Sequence, residues 1–160
     1  MLQVILQLAE SAERIMGQVY AHLARYLDES SPPYAVLKRL AAEEERHAQV
    51  MGQLLEILPA EYPEYDFEPI LSGQAEFINC CSKLLTTDPV SLEELTGYFR
   101  RLVQLEGKLS DNLFLHFKMM VDDEHKEELE QLAKASSQHA KLLTQFLPPE
   151  ERNLASIIPD

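Results

Sequence analysis

Residues 37–58 read Leu-Lys-Arg-Leu-Ala-Ala-Glu-Glu-Glu-Arg-His-Ala-Gln-Val-Met-Gly-Gln-Leu-Leu-Glu-Ile-Leu. Taken at alternating steps of three and four, they give Leu37, Leu40, Glu44, His47, Met51, Leu54 and Leu58, the spacing of one helix face. Glu44 and His47 stand where a core helix carries leucine. Three residues apart, they project from one face of the helix, the face the leucines assign to the interior. An ionised carboxylate buried without a partner is costly. The pair therefore demands compensation: a bound metal ion, or a metal-free polar layer hydrogen-bonded across neighbouring helices.

The rest of the chain repeats the pattern. An N-terminal stripe runs Leu6, Ala9, Glu13, Met16, Tyr20, Leu23, Leu27, with Glu13 as its one charged member. A third runs Leu92, Leu95, Phe99, Leu102, Glu106, Leu109, Leu113, His116, again broken by one glutamate. The fourth runs His125, Leu129, Leu132, Ser136, His139, Leu143, Phe146. Glu13 precedes Glu44 by 31 residues and Glu106 precedes Ser136 by 30, so the sequence reads as two helical hairpins of one design. Each offers a lone carboxylate and then an x-x-His position. These offsets predict that Glu13, Glu44, His47, Glu106 and His139 converge at mid-bundle, near Ser136.

With 160 residues the chain has room for one domain with a full core. The prolines gather at the breaks between stripes and leave four long segments uninterrupted. The expected helices span about 2–28, 33–58, 91–117 and 122–147. The links Asp28 to Pro33 and Lys118 to Val121 are short, which makes each pair antiparallel neighbours, and Asp122 and Asp123 suit the start of the last helix. Between the hairpins, Pro59 to Val90 carries an acidic, aromatic stretch from Glu61 to Phe67 and then a short helix from Ile70 to Leu85. A helix of ~25 residues is ~37 Å long, so this segment is long enough to cross back along a bundle. The expected fold is all-α, a single domain in the form of a ferritin-like four-helix bundle with a long middle connection.

A formal net charge of −13 argues against sequence-independent nucleic-acid binding and against attraction to anionic membranes. No apolar run approaches a spanning length. Met1-Leu2-Gln3-Val4-Ile5 lacks a basic region and meets Glu10 and Glu13 at once, so it reads as a helix start and not a signal peptide. Cys80 and Cys81 are adjacent. They lack the Cys-x-x-Cys spacing of a metal site and are expected to be small, partly buried residues of the crossover. All of this fits a reducing cytoplasm.

These motifs resemble those of the rubrerythrin-type proteins of the ferritin-like superfamily, over roughly residues 2–58 and 91–147. In that family the first helix has a Glu followed seven residues later by a Tyr, as in Glu13 to Tyr20. The second has Leu-Ala-x-Glu-Glu-x-x-His-Ala, which Leu40-Ala-Ala-Glu-Glu-Glu-Arg-His-Ala48 closely follows. The third supplies a lone Glu, matched by Glu106. The fourth repeats the Glu-x-x-His-Ala pattern, and here Ser136-Ser-Gln-His139-Ala140 stands in its place. The resemblance implies a pair of metal ions, iron above all with Mn or Zn as alternatives, held by Glu13, Glu44, His47, Glu106 and His139. Tyr20 and Ser136 then lie in the surrounding shell. The resemblance, and nothing else in the sequence, points to a homodimer.

Two departures bear on activity. Family members bring four glutamates to two divalent ions; this chain brings Glu13, Glu44 and Glu106, with Ser136 at the position of the second bridging carboxylate. Glu13, Glu44 and His47 still make a shell suited to one Fe(II), Mn(II) or Zn(II) ion, while the Glu106–His139 position is weaker. The family's further glutamate one turn after the third-helix ligand is Leu109 here, and no rubredoxin-like cysteine pattern is present. Two function classes follow. One is a metal-binding protein linked to iron oxidation or to peroxide or oxygen defence, with weak turnover. The other is a non-catalytic structural or interaction protein on the same scaffold.

Overall fold

The computed structural model describes residues 2–57, 68–118 and 123–152. Five α-helices account for almost all of them: α1 (Leu2–Ala24), α2 (Pro32–Ile57), α3 (Glu68–Leu85), α4 (Leu92–Lys118) and α5 (Asp123–Thr144). Among the described residues there is no strand, so the fold class is all-α. The stretch Glu61–Phe67, Leu58, and the second hairpin link from Met119 to Asp122 lie outside the described residues, as do the side chains of Leu109, Leu113 and His116. The chain divides into two compact units, Met1–Asp88 and Pro89–Asp160.

In the first unit α1 packs on both α2 and α3. Its hairpin is antiparallel: Glu10 faces Gly52, Arg14 reaches Glu45, and Gly17 meets Ala41, so α2 runs back as α1 runs forward. The turn between them is built by local chemistry. The Asp28 carboxylate accepts hydrogen bonds from the backbone N–H (2.7 Å) and hydroxyl (2.5 Å) of Ser30, which hold its pKa below the usual value. Ser31 then caps α2, accepting from the Tyr34 N–H at 3.4 Å. Pro32 and Pro33 follow in the first turn, where a missing N–H costs nothing; the helix therefore starts one residue earlier than the spacing predicts. At the other end α1 stops at Ala24, not near residue 28, because the amides of Arg25, Tyr26 and Leu27 turn back to carbonyls three residues earlier.

The buried face of α1 carries Ile5, Leu6, Ala9, Met16, Val19, Tyr20 and Leu23, and that of α2 carries Leu37, Leu40, Ala48, Met51 and Leu54. Each large aliphatic side chain so buried contributes about 1.5–3 kcal/mol. α3 adds Ile70, Gln74, Phe77 and Cys81 at helical spacing, with Cys80 half-buried beside them. Near the end of this unit the Tyr26 hydroxyl donates to Asp88, and His22 lies edge-on to Tyr26, its Nε2 3.4 Å from the Thr87 carbonyl. These contacts tie the chain after α3 to the last turn of α1.

In the second unit α4 packs on α5. Its pairs again run antiparallel: Phe99 with Phe146 (centroids 5.3 Å apart), Arg100 with Glu151, and Glu106 with His139. The start of α4 is a capping box: Ser91 Oγ accepts from the Glu94 N–H at 3.1 Å, and the Glu94 carboxylate accepts from the Val90 N–H at 2.8 Å. Leu92, the first member of the predicted stripe, is 80% exposed, because it belongs to this projecting first turn; burial begins at Tyr98 and Phe99. Early in α4 the Arg100 guanidinium holds both oxygens of Glu151, at 2.6 and 2.7 Å; the carboxylate raises the pKa of the arginine, and the arginine lowers that of the carboxylate. No helix among the described residues is long and apolar enough to cross a membrane.

Candidate metal centre

Glu13, Glu44 and His47 come together in the first unit. Glu13 sits on α1 and the other two on α2, and the antiparallel hairpin sets them at one level. Both carboxylates are fully buried and the imidazole nearly so. His47 Nδ1 is 3.1 Å from Glu44 Oε2 and 3.5 Å from Glu13 Oε2. The first is a hydrogen bond along the helix; the second is too long to be one, and neither oxygen of Glu13 has a hydrogen-bond partner.

The electrostatics follow from this geometry. Burial, and then the neighbouring charge of Glu44, push the Glu13 carboxyl from its usual 4.5 up to about 8. For His47, burial alone lowers the pKa, but the two carboxylates outweigh it and raise the imidazole to about 9. Protons thus do the work of a cation in this cluster: they neutralise it at the cost of holding Glu13 in its acid form.

The donor set fits a metal ion. One ligand atom from each of the three residues lies within 4.8 Å of the others. Two ligands at ~2.1 Å from an ion in a tetrahedral or octahedral shell stand ~3.0–3.5 Å apart, and the separations of 3.1 and 3.5 Å from His47 Nδ1 fall at this spacing. Two carboxylates and one imidazole suit Fe(II), Mn(II) or Zn(II).

In the second unit Glu106 and His139 come together across α4 and α5, with Glu106 Oε1 3.6 Å from His139 Nδ1; both are buried. Ser136 is buried one turn before His139, and its hydroxyl donates to the Leu132 carbonyl at 3.3 Å. A serine bonded back to its own helix supplies neither charge nor a strong ligand. Tyr20 is fully buried on α1, two turns beyond Glu13.

Two features of the site, at Arg14 and Gly17, and one buried polar group elsewhere on α3 are not evident from stripe spacing. Arg14, adjacent to Glu13, donates to Glu10 at 3.0 Å and to Glu45, adjacent to Glu44, at 2.6 Å, clasping α1 to α2 on the solvent side. An exposed pair of this kind fixes register more than it adds stability. Gln74 on α3 is buried with its carbonyl oxygen unbonded; a lone amide on the Ile70-Phe77-Cys81 stripe was its only signal. Gly17, inside α1, has Ala41 O and Glu44 Cβ within 3.2 and 3.3 Å of where a Cβ would stand. A mid-helix glycine, unfavourable for the helix itself, was the mark of that close approach.

No protein-family profile, curated protein or solved structure matches this chain.

Proposed function

We propose that this chain is a metal-binding protein of the rubrerythrin type, holding an iron ion through Glu13, Glu44 and His47. Glu106 and His139 supply ligands for a second, weaker ion, and the two hairpins associate as a ferritin-like bundle. The observation that carries this is the unbonded, fully buried Glu13 carboxylate beside Glu44 and His47. Burying such a group in its charged form costs several kcal/mol; the metal-free chain avoids this by keeping a proton on Glu13, and a divalent cation offsets it directly. When bound, iron supplies one-electron chemistry toward dioxygen or peroxide. The chain's own residues do the rest: the two carboxylates balance the charge, His47 adds a neutral nitrogen donor, and the surrounding leucines and methionines exclude water.

The non-catalytic alternative is favoured by one observation, the Ser136 hydroxyl tied to Leu132. It lowers the expected turnover without touching the ligands of the first unit. Both parts are tested by loading the protein with Fe(II) without oxygen and following its melting temperature and its consumption of added peroxide. We expect a higher melting temperature than in chelator, with peroxide consumption much slower than in a rubrerythrin with four glutamates. An unchanged melting temperature refutes metal binding; consumption matching an intact rubrerythrin refutes the weak-turnover reading.

A further inference from the structure

We infer that Gly17 is a positioning residue for this site: by having no side chain, it lets α1 approach α2 closely enough for Glu13 and Glu44 to share one ion. The inference rests on the metal-binding reading above. Gly17 lies one turn beyond Glu13, on the side of α1 that meets α2 at Glu44. A Cβ placed on it would stand 3.2 Å from the Ala41 carbonyl oxygen and 3.3 Å from the Cβ of Glu44. Neither atom is the free end of a flexible side chain. One is backbone and the other is the first carbon of the ligand, so any relief moves α2 itself, by a few tenths of an ångström.

That displacement is small for packing and large for coordination. Hydrophobic contacts absorb it, whereas metal–ligand distances hold to about 0.2 Å. Glu13 and Glu44 come from different helices, so the helix spacing sets the distance between their carboxylates. His47 shares a helix with Glu44 and moves with it. Widening the hairpin therefore draws Glu13 away from both other ligands. The Arg14 bridge to Glu45 holds register on the outer side, but it is exposed and yields easily. The helix gains nothing of its own from a glycine here, since alanine is the better helix former.

Two other helical glycines are internal controls. A Cβ on Gly52 would meet the Glu10 carboxylate at 3.8–3.9 Å, an ordinary contact, and one on Gly73 would meet nothing within 4 Å. The experiment compares Gly17→Ala, Gly52→Ala and Gly73→Ala with the unaltered chain, using Co(II) as the probe and reading its visible absorption spectrum and its affinity. Helical circular dichroism and melting in chelator report on the fold. We expect Gly17→Ala to keep its helicity, to bind Co(II) about 10–100-fold more weakly, the range for losing support behind a ligand, and to show an altered spectrum. Gly52→Ala and Gly73→Ala should keep the parent spectrum and affinity. If Gly17→Ala binds like the parent, the positioning role is overturned and the metal-binding reading stands. Failure of the unaltered chain to bind Co(II) overturns both. Loss of affinity in all three variants alike assigns the effect to helix stiffening and also overturns the role of Gly17.

Discussion

Nδ1 of His47 stands 3.5 Å from Oε2 of Glu13, a residue 34 positions earlier on a different helix. The relationship exists because α1 and α2 are antiparallel and in one register, and it places a nitrogen donor beside a carboxylate neither of whose oxygens has a hydrogen-bond partner. An ion or a proton must neutralise that group, and the competition between the two governs how the protein responds to pH.

Without metal, stability should fall as pH rises. The unfolded chain releases the Glu13 proton near 4.5, whereas the folded protein keeps it to about 8, so between those values the folded state binds more protons. His47 acts in the same sense: its contribution is complete below 6.5 and lost as pH passes about 9. Glu13→Gln cannot ionise, so in chelator its melting temperature should decline less with pH than the parent's over the range from 4.5 to about 8. Equal slopes for the two proteins contradict the shift assigned to Glu13. With metal the sign reverses, because protons and cation compete for the same oxygens and nitrogen.

Ser136→Glu should restore a fourth carboxylate one turn before His139. It replaces a hydroxyl now spent on the Leu132 carbonyl. With saturating Fe(II) or Mn(II) the variant should melt higher than the parent and bind about two ions instead of one. In chelator it should melt lower, since another buried carboxylate goes unneutralised. Unchanged metal content with a loss of stability under both conditions contradicts this and favours the non-catalytic reading.

Much of the fold was legible because apolar residues recur at helical spacing. Glu13, Glu44, His47, Glu106, Ser136 and His139 were expected on buried faces and are buried. Helix ends were less legible, for local reasons. The apolar stripe continues through Leu27, but three successive i-to-i+3 turns end α1 at Ala24. Leu92 fits a stripe by spacing and yet projects from a first turn. Tertiary proximity was hardest of all. Nothing in stripe spacing says that Arg14 reaches Glu45 or that Gly17 abuts Glu44, because both depend on the distance between helices.

The capping box at α4 separates fold from site. Ser91→Ala removes the acceptor for the Glu94 N–H and should cost about 1 kcal/mol. Because Ser91 is remote in sequence from every ligand of the first unit, the loss should be the same with and without metal. A melting shift that appears only in the metal-loaded protein contradicts that independence.

Equilibrium dialysis against Fe(II) without oxygen, with iron counted per chain in the parent, Glu13→Gln and His47→Ala, tests the central claim most directly. The predicted result is at least one tightly held iron per chain in the parent. Each variant should lose affinity by more than the roughly 10–100-fold that follows loss of a supporting group behind a ligand, with helicity intact. No bound iron in the parent, or equal iron in all three proteins, contradicts it.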